Sequence, residues 1–141
     1  MGKRRTSPHD SQRYYDWLER AGADLTSAEL LKSNDGDNCN AAFHCQQCIE
    51  KALKGYILFM TSKHVDGHNL TYLCRSACKL DGKFNEWLDE SLELNRYYIE
   101  TRYPTDLGFD VSDHELDTIY KMAKDMYVFI IDVIGAETKP K

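Results

Sequence analysis

The spacing of the apolar residues constrains this chain most. Between breaks they recur every three or four positions, and nowhere do they alternate as a strand would require. Proline occurs only at Pro8, Pro104 and Pro140, each at an expected element boundary. The first helix is expected to start near Pro8 with Ser7 as N-cap, and to bury Tyr14, Leu18, Ala21, Leu25 and Ala28. The turn-rich run Ser33 to Asp37 ends it. That run is not a calcium loop, because counting back from Gly36 puts Leu31 at a ligand position and leucine cannot coordinate. The second helix starts after Asp37 or Asn38 and buries Ala41, Cys45, Cys48, Ala52, Tyr56 and Phe59. Its small residues would let a neighbouring helix come close. Beside them His44, Gln47, Lys51 and Lys54 form a separate polar stripe.

A loop from Ser62 to Gly67 leads to a short third helix with Leu70, Leu73, Ala77 and Leu80 inward, ended by Asp81-Gly82. The fourth helix uses Phe84, Trp87, Leu88, Leu92, Asn95 and Ile99. It must stop by Tyr103, because the residue before Pro104 is pushed out of the helical region. Ser112-x-x-Glu115 is a capping box that opens the last helix, with Leu116, Ile119, Ala123, Tyr127, Ile130 and Ile134 inward and Gly135 closing it. The expected fold is all-α: an up-and-down antiparallel helical bundle of four main helices plus one short helix. Residues 8–135 would form one domain, with 1–7 and 136–141 as flexible tails.

Composition narrows the class. Hydrophobic residues make up 42% of the 141, enough for one core. A formal charge of -5 argues against nonspecific binding to nucleic acid or anionic membrane. Lys3-Arg4-Arg5 reads as a solvated start, and no apolar run follows it as in a signal peptide. The longest apolar stretches, Tyr56 to Met60 and Tyr127 to Ile131, fall far short of the roughly 20 residues of a membrane span. A cytoplasmic protein without membrane partners is expected, its five cysteines free thiols. Cys45-x-x-Cys48 and Cys74-x-x-x-Cys78 invite a zinc reading. Cys45 and Cys48, however, lie on the buried stripe of a continuous helix, where cysteine serves as a small core residue. No metal and no cofactor is expected.

The run Phe43-His44-Cys45-Gln46-Gln47-Cys48-Ile49-Glu50-Lys51-Ala52-Leu53-Lys54 resembles the signature helix of the HEPN family, an aromatic followed by Gln-Gln-Ala-x-Glu-Lys-x-x-Lys. Ala23-Asp24-Leu25 with Ala28 is similar to the family's A-D-L-x-x-A. His68-Asn69-Leu70 with Leu73 is similar to its H-[DN]-L-x-x-L, and Arg102-Tyr103-Pro104 to its R-Y-P. The resemblance spans residues 12 to 133. It implies a helical bundle, commonly a homodimer, often encoded beside a minimal nucleotidyltransferase in bacteria or archaea. Family members are proposed to bind nucleotides, and one branch consists of metal-independent ribonucleases.

That branch uses an arginine, four to six residues, then a histidine. Here Arg96 is followed after four residues by Thr101, Arg102 and Tyr103. Cleavage by a 2′-hydroxyl needs a group that moves protons near neutral pH. Threonine does not titrate, and Arg102 stays protonated. The expectation is therefore a binding module for a nucleotide or RNA phosphate, possible partners being a nucleotidyltransferase and a second copy of the chain. The ligand-binding candidates are Lys51, Lys54, His68, Arg96, Arg102 and Tyr103. Arginine forks suit phosphate, and tyrosine stacks on bases. Two alternatives stand beside it. One is a divergent ribonuclease in which Arg96, Arg102 and Tyr103 act with Thr101 in the histidine slot. The other is a structural bundle without ligand, in which Arg96 pairs with Glu100, Glu50 with Lys54 on a solvated face, and His68 caps or packs locally.

Overall fold

The computed structural model describes residues 9–98 and 110–138. Among them are five α-helices, one 3-10 turn and no strand. The helices are α1 (Tyr14–Ser33), α2 (Asn38–Thr61), α3 (Leu70–Leu80), α4 (Leu88–Asn95) and α5 (Asp113–Thr138); the 3-10 turn, Gly82–Trp87, precedes α4. The fold is an all-α helical bundle, as the periodicity requires.

α2 is its axis. Ala41, Ala42, Cys45, Cys48, Ile49, Ala52, Leu53 and Tyr56 are fully buried, and they point to more than one side of the helix. α1, α3 and α5 pack against it. Trp17 meets Gly55 while Asp24 meets His44 and Lys51, so α1 and α2 run antiparallel. Asn38 donates to the Val111 carbonyl at 2.9 Å and to Asp113 Oδ1 at 2.8 Å, so α2 and α5 start together and run parallel. Gly55 permits the α1–α2 crossing: a Cβ there would sit 3.1 Å from Trp17 Cβ and 3.3 Å from the Tyr14 carbonyl oxygen. α3 packs against the 3-10 turn and α4 as a smaller antiparallel unit, with Leu70 bonded to Asn95 and Cys74 to the Phe84 carbonyl. Tyr56, Phe84, Trp87 and Phe129 join the two parts in an aromatic cluster, the Tyr56 and Phe84 rings 4.5 Å apart.

Caps set the boundaries. Asp37 accepts from the Asn40 N–H at 2.9 Å, Asn69 from the Tyr72 N–H at 3.1 Å and Ser112 from the Glu115 N–H at 3.0 Å. Each such cap contributes about 1 kcal/mol. Glu115 does not complete the expected box backwards. Its carboxylate accepts instead from the Tyr97 hydroxyl, linking α5 to the end of α4. The α1–α2 turn leaves little room at Gly36, where a Cβ would fall 3.0 Å from the Leu31 carbonyl oxygen and 3.1 Å from Leu31 Cα.

Three expectations change. α1 begins at Tyr14, not near Pro8; Ser7 and Pro8 lie outside the described residues. Residues 9–13 are held out of the helix because the Ser11 carbonyl accepts from Trp17 Nε1 at 3.0 Å and lies 2.7 Å from His64 Nε2. The fourth helix is not continuous from Phe84. It opens as a 3-10 turn, which has about three residues per turn and so rotates the faces of the helix after it. Ser91 and Leu94 therefore face the core, while Leu92, expected inward, is 62% exposed. After Asn95 the N–H groups of Arg96, Tyr97 and Tyr98 bond three residues back, and Ile99 and Tyr103 lie outside the described residues. Finally, α5 does not close at Gly135 but runs on to Thr138.

Candidate functional site

The polar residues of α2 divide between two carboxylates. On the α1 side, Asp24 is buried and receives both neighbours: its Oδ1 is 2.8 Å from His44 Nδ1, and its Oδ2 accepts from Lys51 Nζ at 2.6 Å. On the other side, Glu50 and Lys54 form an ion pair at 3.1 Å with side chains only 8% and 4% exposed. Gln47 donates to Glu50 at 3.3 Å and to Gln46 Oε1 at 2.8 Å; Gln46 in turn donates to the His68 carbonyl at 3.1 Å. The expected single polar stripe is thus two separate networks, and the expected solvated Glu50–Lys54 pair is buried. The reason is tertiary: the chain entering α3 lies over this side of α2, held there through His68. Removing two charges from water is unfavourable unless they pair and their remaining groups are hydrogen-bonded, which is what the two glutamines provide for Glu50.

The second network leads to an aromatic surface. His68 and Tyr98 stack face to face, centroids 3.9 Å apart and planes 7° apart, with Phe43 6.0 Å from Tyr98. His68 Nδ1 is buried and, among the described residues, has no hydrogen-bond partner. Such an orphan is uncommon in a folded protein. Arg96 stands two residues before Tyr98 with its side chain 49% exposed. It lies 3.4 Å from Glu93 Oε1 and 5.6 Å from the Tyr97 ring, and the expected partner Glu100 lies outside the described residues.

Of the sequence-derived candidates, then, the structure stacks His68 on Tyr98, sets Arg96 two residues before that tyrosine, and gives Lys51 and Lys54 separate carboxylate partners. Arg102 and Tyr103, with Thr101, lie outside the described residues. Phe43 and Tyr98 join this aromatic surface and are not among the sequence-derived candidates. The signal for Tyr98 in the sequence is the Tyr97-Tyr98 pair directly after Arg96, upstream of the motif positions 101 to 103. In the sequence Asp24 stands only as part of the Ala23-Asp24-Leu25 motif; its two basic partners come from another helix.

The cysteines belong to the core. Burial pushes the Cys45 thiol up to about 12, with a smaller contribution from Asp24, and holds Cys48 well above its ordinary value. Cys74, mainly through burial, is raised to about 11. Thiolate, the form that binds metal, is disfavoured at all three. Among the described residues no group of three or more His, Cys, Asp or Glu side chains is placed to hold a metal ion, and no helix is long and apolar enough to cross a membrane.

A bundle built around a central helix that carries Gln-Gln-x-x-Glu-Lys, with a His-Asn-Leu entry to α3, defines a recognisable class of helical domain. The HEPN domain family model matches residues 14–133, and the chain belongs to that family. The crystal structure of TT1696 from Thermus thermophilus is similar, with 27% identity and a TM-score of 0.73, covering 86% of this chain and 98% of that one. ST0689, an archaeal HEPN homologue, is similar at 26% identity and a TM-score of 0.68, with the same coverage of each chain. No curated protein matches the sequence.

Proposed function

We propose that the chain is a HEPN-type binding module that engages a phosphate-bearing nucleotide or RNA at the aromatic surface where α4 ends. The observation that carries this reading is the parallel His68–Tyr98 stack with Arg96 two residues away. Stacked planar rings extend naturally onto a base, and Arg96, two residues from Tyr98 in sequence and half exposed, offers donors for a phosphate. Arg102 and Tyr103, four and five residues beyond Tyr98 in sequence, are further candidate contacts to the same ligand. Lys51 and Lys54 act here mainly as partners of Asp24 and Glu50, and hold α2 in the geometry that presents Phe43. In this reading residues 8–135 work as one cytoplasmic unit, as a homodimer, with a minimal nucleotidyltransferase as partner.

The test is binding of a labelled single-stranded oligoribonucleotide at two salt concentrations. Tyr98→Ala should weaken binding roughly tenfold, the effect of losing one stacked base. Arg96→Ala should weaken it and flatten the salt dependence by about one phosphate contact. Unchanged binding in both variants would sink the proposal. Chelator-resistant cleavage that vanishes in Arg96→Ala would replace it with the ribonuclease reading. Sedimentation should give twice the 16.3 kDa chain mass; a monomer at all concentrations would remove the homodimer.

A further inference from the structure

We propose that a second site, the cavity between α1 and α2 lined by Ser11, Asp16, Trp17, Arg20 and Lys51, binds a small planar aromatic anion. It uses none of His68, Tyr98 and Arg96 and does not rest on the reading above.

The cavity has a preset aromatic wall. Trp17 stands where α1 crosses Gly55, and its indole N–H is already spent on the Ser11 carbonyl at 3.0 Å. His64 reaches the same carbonyl at 2.7 Å, and its ring lies 5.8 Å from the indole. With its polar edge satisfied internally, what Trp17 offers a ligand is ring surface. A wall fixed in advance loses little freedom on binding.

Charge selects the ligand's sign. The Asp16 carboxylate accepts from Ser11 Oγ at 2.7 Å and from Arg13 Nε at 2.9 Å, so its charge is matched. The Lys51 ammonium is matched by Asp24 at 2.6 Å, which leaves its alkyl stem as cavity lining. Arg20 is different. Among the described residues no hydrogen bond or ion pair engages it. One exposed guanidinium without a protein partner, at the rim of an aromatic wall, favours a single negative group, carboxylate or phosphate, attached to a flat ring. The cavity measures about 180 Å³. Pockets for drug-sized ligands start near about 300 Å³, so this one holds a single ring and leaves the rest of the molecule in solvent. An aromatic carboxylate and a nucleoside monophosphate share that chemistry.

The chain has two tryptophans, so in a Trp87→Phe variant Trp17 is the sole indole reporter. That protein is titrated with benzoate, adenosine 5′-monophosphate, adenosine and inorganic phosphate, and the wild type is titrated in parallel by calorimetry in case the substitution disturbs the core. A saturable change in Trp17 emission is expected with benzoate or the monophosphate, and the tighter of the two identifies the source of the ring. Adenosine and phosphate should each bind at least about tenfold more weakly, and Arg20→Ala should lose about tenfold in affinity, as when a charge-assisted contact is removed. The proposal is overturned if neither anion gives saturation, if adenosine matches its monophosphate, or if Arg20→Ala binds as wild type does. Trp17 reports this cavity alone, so either outcome leaves the RNA-binding result standing on its own.

Discussion

Glu50 and Lys54 show how residue identity and residue role separate in this chain. Their spacing reads as an ordinary surface pair, yet both are more than nine-tenths buried. Removing one partner leaves a charge in the interior. Lys54→Met alone should therefore destabilise the fold by about 3–5 kcal/mol, measured by urea unfolding, whereas Glu50→Leu with Lys54→Met should recover most of the loss. If the single variant is as stable as wild type, the pair is solvated in solution. The polarity of these side chains was plain in the sequence. Their burial was not, because it depends on His68, which reaches back to Gln46 across 22 residues of chain. Asp24 was hidden in the same way: its partners His44 and Lys51 come from the next helix.

At the level of elements, sequence and structure agree where a short-range signal exists. Asp37, Asn69 and Ser112 cap helices as their residue types suggest, and the stripe on α5 points inward as its spacing requires. Agreement fails where a local backbone change shifts the phase, as the 3-10 turn does for Leu92 and Leu94. Asn95 survived that shift as an inward residue, and its amide joins two elements. Oδ1 accepts from the Leu70 N–H at 2.6 Å, while Nδ2 donates to Asn69 Oδ1 at 3.1 Å and to Thr71 Oγ1 at 3.2 Å. Asn95→Ala should cost about 1–3 kcal/mol, because it orphans a buried donor at the start of α3. It should also weaken oligoribonucleotide binding, since His68 sits just before that start. A variant that loses stability but binds normally would show that the stack does not depend on this joint.

For the whole molecule, buried acids that stay protonated set an alkaline limit. The Cys45 thiol is raised from 9.0 to about 12, Cys74 from 9.0 to about 11 and the Tyr56 hydroxyl from 10.0 to about 12, burial being the first cause in each case. The folded state thus binds more protons than the unfolded state across this range. The stability these groups contribute is complete below pH 9 and is lost as pH rises through 11 to 12. Unfolding midpoints measured from about pH 8 to about pH 11 should fall, and Cys45→Ala should fall less steeply; equal slopes would remove Cys45 from the account. The bundle itself was legible from periodicity, and its family from four short motifs. The α1–α2 cavity was not, because Ser11, Trp17 and Lys51 meet only after two helices have crossed.

The all-round burial of α2 also bears on how the protein opens. A helix covered on one side can fray into solvent while the rest holds. α2 is covered by α1, α3 and α5, so separating its peptide groups from one another requires those neighbours to leave first. Its amide protons between Ala41 and Leu58 should therefore exchange with deuterium only through global unfolding, and last in the chain, while those of α4 exchange by local opening. The helix that carries the family signature would then be the most slowly exchanging part of the molecule.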